Sequence, residues 1–252
     1  MVTSFYRGIF TTVSLISVLL VAAPALADYS RITYTATVTG VETDTGGGTF
    51  TGLDVNDTIS GEFRIGVSAE DATEVFSGAT DTEYLFLGGD YRGAVSGASG
   101  NFLASNAWLF IEDDYLVTQE DIALVSEAFP DLVQGLNLNA GNPVDSWGIG
   151  TASQNVIYDD EADCLVDGLE FEIVLVDIDG TMFNDTTFRG EPPSQEDIEL
   201  PIFFLEQADG ATGCENTVYS AYGVITDIQY ELVQDPEPEN KAMPWVPLLL
   251  EE

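Results

Sequence analysis

The acidic residues of this chain fall in clusters whose oxygens could hold a cation. Asp159, Asp160, Glu161, Asp163 and Asp167 surround Cys164, Glu112-Asp113-Asp114 follow an apolar run, and Asp177-Ile178-Asp179-Gly180 closes another. Oxygen-rich loops suit Ca²⁺, which takes roughly six to eight oxygens in a flexible arrangement. None has EF-hand spacing: in Asp177-x-Asp179-Gly180 the glycine comes too early, and no glutamate stands at the closing position. With 44 acids in the chain, clusters arise by chance, so a solvated surface is the first expectation. The Asp159 to Asp167 loop is the candidate calcium site, and no other cofactor is expected. Two carboxylates would also suffice for glycoside hydrolysis, but nothing selects one pair from so many. Histidine is absent, which removes the usual general base, proton shuttle and zinc ligand. The one lysine, Lys241, falls near the end of the chain, and the glycines at Gly46, Gly88 and Gly97 read as turns rather than nucleotide loops. No catalytic residue is assigned, and a non-enzymatic protein is expected. Trp108 and Trp147 could stack on sugars; burial in a core is the stronger reading, with Trp147, in the polar context DSWGIG, expected to be the more exposed ring.

Cys164 and Cys214 belong to a chain that reads as exported, where cysteine pairs are usually oxidised. One disulfide is expected, a staple between two late loops worth roughly 4 kcal/mol in the chain-entropy model. Export is read from residues 1–27. Arg7, the apolar stretch from Ile9 through Val21, Pro24 and Ala25-Leu26-Ala27 make the charged, apolar and small-x-small parts of a secretory signal. Cleavage after Ala27 is expected rather than retention as an anchor, and nothing later is long and apolar enough to span a bilayer. Arg7 is the one charge in the leader, so the mature chain carries 44 acids against 5 bases. That field repels nucleic acid and anionic lipid and attracts cations. A surface built for high salt would show the same scarcity of bases, and so would cation coordination at a few defined sites. A secreted location is expected, extracellular or at the cell surface, with the periplasm also open. Polysaccharide or other matrix components are the expected partners.

The elements that must position these residues are mainly strands. In Arg31 to Val41, Ile32, Tyr34, Ala36 and Val38 alternate with Thr33, Thr35, Thr37 and Thr39, a period of two with one apolar face. Thr58 to Ile65 is a second strand, and Glu83 to Leu87, Tyr91 to Ser96, Asn101 to Ile111, Asn155 to Tyr158, Leu169 to Val176, Ile202 to Leu205 and Val218 to Val233 follow. One helix is expected, Gln119 to Phe129, with Ile122, Val125 and Phe129 on one face and Pro130 as its stop. The pattern predicts an all-β protein, an antiparallel, jelly-roll-like β-sandwich with one short helix. Residues 28–234 form the single domain and residues 235–252 a flexible tail rich in proline and acids.

Four blocks carry a family resemblance: YTATVTGVETDTGGGTFTGLDVNDTISGEFRI (Tyr34 to Ile65), VDIDGTMFNDTTFRGEPPSQEDIEL, FFLEQADG and VYSAYGVITDIQY. Their strand-and-turn wording resembles secreted bacterial β-proteins of the PEP-CTERM-associated type. Pro236-Glu237-Pro238 stands where that group's sorting signal begins. The continuation departs from the group, because Ala242 to Leu250 is short, is broken by Pro244 and Pro247, and leads to Glu251-Glu252 rather than an arginine-rich end. The resemblance implies association with the surface or matrix of a Gram-negative bacterium and brings no catalytic residues. The departure predicts release, with a different short signal or a docking peptide as the alternative reading of the tail.

Overall fold

The computed structural model describes residues 28–44, 50, 52–88, 91–97, 100–153, 157–159, 164–209 and 217–234. The expected signal segment, residues 1–27, and the expected tail, residues 235–252, lie outside these residues.

The all-β, antiparallel class is observed. β1 (Tyr29–Asp44) and β2 (Thr58–Ile65) are followed by the short edge strand β3 (Glu74–Ser77), by β4 (Asp81–Leu87) and by β5 (Arg92–Gly97). β6 (Gly100–Ala104) and β7 (Asn106–Leu116) lead to helices α1 (Gln119–Ala128) and α2 (Pro130–Val133). The remainder is β8 (Pro143–Ala152), β9 (Ile157–Asp159), β10 (Cys164–Asp177), β11 (Leu200–Asp209) and β12 (Thr217–Val233). The strands form one continuous sheet in the order β3-β4-β7-β8-β10-β11-β12-β1-β2-β5-β6, with β9 paired to β10. β1 and β12 pair from Tyr29↔Val233 to Asp44↔Tyr219. The strands thus make two wings of a single sheet, folded so that β2 and β5 lie against β7, and β5 also against β8. The approach is close: a Cβ added to Gly93 would stand 2.2 Å from Thr151 Cβ.

The wings meet over a core that alternation supplies. Ile32, Tyr34, Ala36 and Val38 point inward from β1, as the period-two reading requires. Tyr34 stacks on Phe171 of β10 with ring centroids 5.2 Å apart, and Phe63 of β2 closes on the same ring at 6.2 Å. Trp147, Phe86, Phe203 and Tyr219 are fully buried in the same cluster. A second, smaller core covers the outer face of β8, β10 and β11, where Val144, Val174, Val176, Leu200 and Ile202 pack under Val125, Ala128 and Phe129. Helix α1 is held at its start by Thr118, whose hydroxyl accepts from Asp121 N–H, while the Asp121 carboxylate accepts from Thr118 N–H at 2.7 Å. It ends where Pro130 opens α2, a second helical turn beyond the one expected.

Two departures from the predicted strands have local causes. Asn101 to Ile111 is not one strand, because an antiparallel ribbon bends there. β4 and β7 pair as far as Leu87↔Asn106, and the pairing resumes in the other wing with β5 and β6 at Gly93↔Ala104. The corner lies at Gly88, with φ +70°, whose N–H donates to Ser105 O at 2.9 Å. β8 escaped prediction because every residue after Pro143 is buried, on both faces, so no alternation marks it.

Candidate functional site

Three groups of ionisable side chains stand out once the strands are in place. The first lies where β8 and β10 pair Asp145 with Asp177, both nearly inaccessible. Asp145 accepts from Phe183 N–H at 2.7 Å and Asp114 N–H at 3.0 Å. Asp177 accepts from the N–H groups of Asp179 and Thr181, each at 2.9 Å. The carboxylates thus close the Asp177 to Gly180 turn and dock the segment after it. Their oxygens are committed to backbone donors, which is what a buried carboxylate requires.

The second group is a ledge of glutamates on the outer face. Glycines at 148 and 150 of β8 leave a trough, filled from β7 by the rings of Phe110 and Trp108, whose atoms would stand 2.0 Å and 2.3 Å from added Cβ atoms. Glu172 of β10 lies beside Trp108, whose Nε1–H points at Oε1 from 3.5 Å, while Oε2 has no hydrogen-bond partner among the described residues. Burial pushes the Glu172 carboxyl far above its ordinary range. Burial, reinforced by Asp81, raises Glu83 to about 8. Burial, with Glu206 and Glu83 nearby, raises Glu170 to about 8. Glu112 rises to about 7 through burial, offset in part by the hydrogen bond from the Ser146 hydroxyl.

The third group is a row of arginines on the outer face of the opposite wing. Arg31, Arg64 and Arg92 face one another across β1, β2 and β5 through the register pairs Arg31↔Arg64 and Arg64↔Arg92. Like charges directly opposite in a sheet repel, and here one carboxylate moderates all three. Glu62 takes Arg31 Nε at 3.1 Å, lies 3.4 Å from Arg64 Nε and accepts a short contact from Arg92. Burial alone would raise the Glu62 carboxyl, but the hydrogen bond and charge of Arg92, with Arg64 and Arg31 behind it, hold it below its ordinary range. Arg64 also lies over the Tyr29 ring, 4.8 Å from its centroid. The guanidinium-bearing side chains remain 40%, 24% and 34% exposed for Arg31, Arg64 and Arg92.

The residues singled out from sequence fare unevenly. Trp147 is fully buried and donates Nε1–H to Arg189 O at 2.9 Å, and Trp108 is 5% exposed. The expectation of an exposed Trp147 is therefore corrected, and neither ring offers a free face to a sugar. Asp145 and Ser146, which made its context look polar, are themselves buried and bonded to Phe183 and Glu112. Asp159 ends β9 opposite Cys164, and Asp167 pairs with Asp209. Asp160, Glu161, Asp163 and Cys214 lie outside the described residues, as does the side chain of Cys164. Among the described residues, no three Asp, Glu, His or Cys side chains are grouped to hold a metal. A cavity of about 160 Å³, lined by Leu175, Gln195, Ile198, Pro201, Ile225 and Ile228, is smaller than the roughly 300 to 1,000 Å³ of ligand pockets. The arginine row was missed, although its signal was present: three of the few bases stand in predicted strands. No family model, curated protein or solved structure matches the chain.

Proposed function

We propose that this chain is an exported, non-enzymatic, acidic β-protein of the cell envelope or extracellular matrix. The observation that carries the reading is how the fold uses the carboxylates that burial singles out. Asp121, Asp145 and Asp177 accept backbone donors and hold a helix start, a strand end and a turn. Burial elsewhere turns the glutamate ledge toward neutrality, which suits packing against aromatic rings rather than display of charge. The other acids give a polyanionic shell around two apolar cores, a composition that tolerates a saline exterior. The signal-like residues 1–27 and the resemblance to PEP-CTERM-associated proteins support the same assignment.

Fractionation of producing cells, followed by mass analysis of the unreduced protein, tests the proposal. The expected product lies outside the cytoplasm, begins at Asp28 and contains a peptide pair joined through Cys164 and Cys214. Full-length protein with Met1 retained in the cytoplasm would refute export. Two free thiols in exported protein would remove the disulfide while leaving the location intact.

A further inference from the structure

We infer that the arginine row on β1, β2 and β5 is a binding site for the carboxylates of an acidic polysaccharide, with Arg31, Arg64 and Arg92 as the reading groups. The inference rests on the envelope or matrix assignment and supplies its partner. The first argument is economy of charge. Against 44 acids the chain has 6 bases, one of them in the leader, yet three converge on a single outer face. A row that served only to neutralise the surface would be spread among the acids. Instead its members oppose one another, where they repel, and share Glu62. Glu231 adds one exposed contact to Arg31 at 3.5 Å. Among the described residues three guanidinium groups thus meet two carboxylates, and the donor capacity of the forks exceeds what those two can accept. Arg64 Nε and Arg92 Nε are buried without a hydrogen-bond partner among the described residues, so the donors open to a ligand are the other nitrogens of the forks.

The second argument is shape. Strands lie about 4.8 Å apart, so the row extends roughly 10 Å across the sheet, longer than one small anion can bridge. A uronate polymer presents one carboxylate per sugar at a comparable interval. Planar guanidinium forks bind carboxylates in pairs of hydrogen bonds, and they are less strongly hydrated than ammonium groups. Beside the row the same face is rich in hydroxyls, with Thr33, Thr35 and Thr37 outward on β1 and Ser60 outward on β2, all partly exposed. These hydroxyls suit the hydroxyl groups of a sugar chain, and so does the amide oxygen of Gln229, which pairs with Thr33 and whose Nε2–H donates to Asp227 at 2.9 Å. The net charge opposes approach from a distance, but at physiological salt the screening length is about 8 Å, so contact is governed by the local row.

The test uses the mature chain from Asp28, titrated by calorimetry in physiological salt with a short oligogalacturonate. A neutral oligosaccharide of equal length and inorganic sulfate serve as the other probes. Saturable binding of the oligouronate is expected, with none to the neutral sugar and far weaker binding of sulfate. Arg31→Gln and Arg92→Gln should each weaken it about tenfold or more, the scale of one lost charge-assisted hydrogen bond. Arg92→Lys should keep charge, lose the fork and recover only part of the affinity. Glu62→Gln should tighten binding several-fold by removing the internal competitor, while lowering the melting temperature. Circular dichroism of each variant separates loss of binding from loss of fold, and the lysine variant decides where a glutamine variant does not fold. No binding by either the wild type or Glu62→Gln would overturn the inference. So would affinity unchanged in folded Arg31→Gln and Arg92→Gln, or sulfate binding as tight as the oligouronate. Because none of these readouts depends on location, their failure is distinct from failure of export.

Discussion

Gly148 and Gly150 show how a missing side chain can organise a face. Their absent Cβ atoms let Phe110 and Trp108 lie flat on β8, and a methyl at position 148 would meet the Phe110 ring at 2.0 Å. Gly148→Ala is therefore expected to lower stability by about 1 to 3 kcal/mol or more, the range for overpacking a close-fitted site. Denaturant unfolding should show this, and Phe110→Leu in the same chain should recover part of the loss. Strictly additive losses would mean the clash is not the cause. The same two glycines explain a failure of sequence reading. In PVDSWGIGTA they resemble turn residues, and with Asp145 and Ser146 beside it Trp147 looked exposed. Only the neighbouring strand reveals that the glycines receive rings and the acid receives backbone N–H groups. The arginine row was legible only in its parts: Arg31, Arg64 and Arg92 stand in predicted strands, but they are distant in sequence and become a group only through register.

At the level of elements, the outer glutamates of β4, β7 and β10 make stability depend on pH in an unusual direction. Glu83 and Glu170 titrate at about 8 and Glu112 at about 7, all above the ordinary 4.5. Between those limits the folded chain holds protons that the unfolded chain has released. The stabilising contribution is complete below pH 4.5 and is lost as pH rises through the folded values. The melting temperature should fall from about pH 5 to pH 8.5, and Glu170→Gln should flatten the fall. General acid repulsion gives the same direction but fades at about 1 M salt, where the screening length is near 3 Å, whereas the buried contribution persists. A melting temperature that rises over this interval would exclude the ledge as its main determinant. Glu62 has the opposite sign and matters only as pH falls through its lowered value. Elements that bury one face were legible from sequence: β2 appears at Thr58–Ile65 as expected, and α1 spans Gln119–Ala128 behind its Thr118 cap. β3, four residues long with little burial, and β8, buried throughout, lack the alternation by which strands are recognised.

For the whole molecule, the charge ratio sets the expected response to ions. If repulsion is distributed over the surface, the melting temperature should rise smoothly with NaCl and similarly with other monovalent salts at equal ionic strength. A calcium site in the Asp159 to Asp167 loop would instead give a saturable rise at millimolar Ca²⁺ or below against constant salt, abolished by Asp159→Asn with Asp163→Asn. A rise that survives the double substitution would clear that loop. Strand order has a further consequence, for synthesis. β12 is the hydrogen-bonded seam: on one side it pairs with β11 and the wing beyond, and on the other with β1 and the wing ending in β6. Ser30 and Tyr230, which meet through their hydroxyls, are 200 residues apart. A nascent chain can assemble neither the central ladder nor the full inner core until its last strand has been made. Contacts this remote slow folding and leave strand edges open meanwhile. The fold thus delays its own completion until β12 has been made, so a polypeptide threaded vectorially through a narrow channel would still be unlocked while β12 was in passage and would close only on the far side.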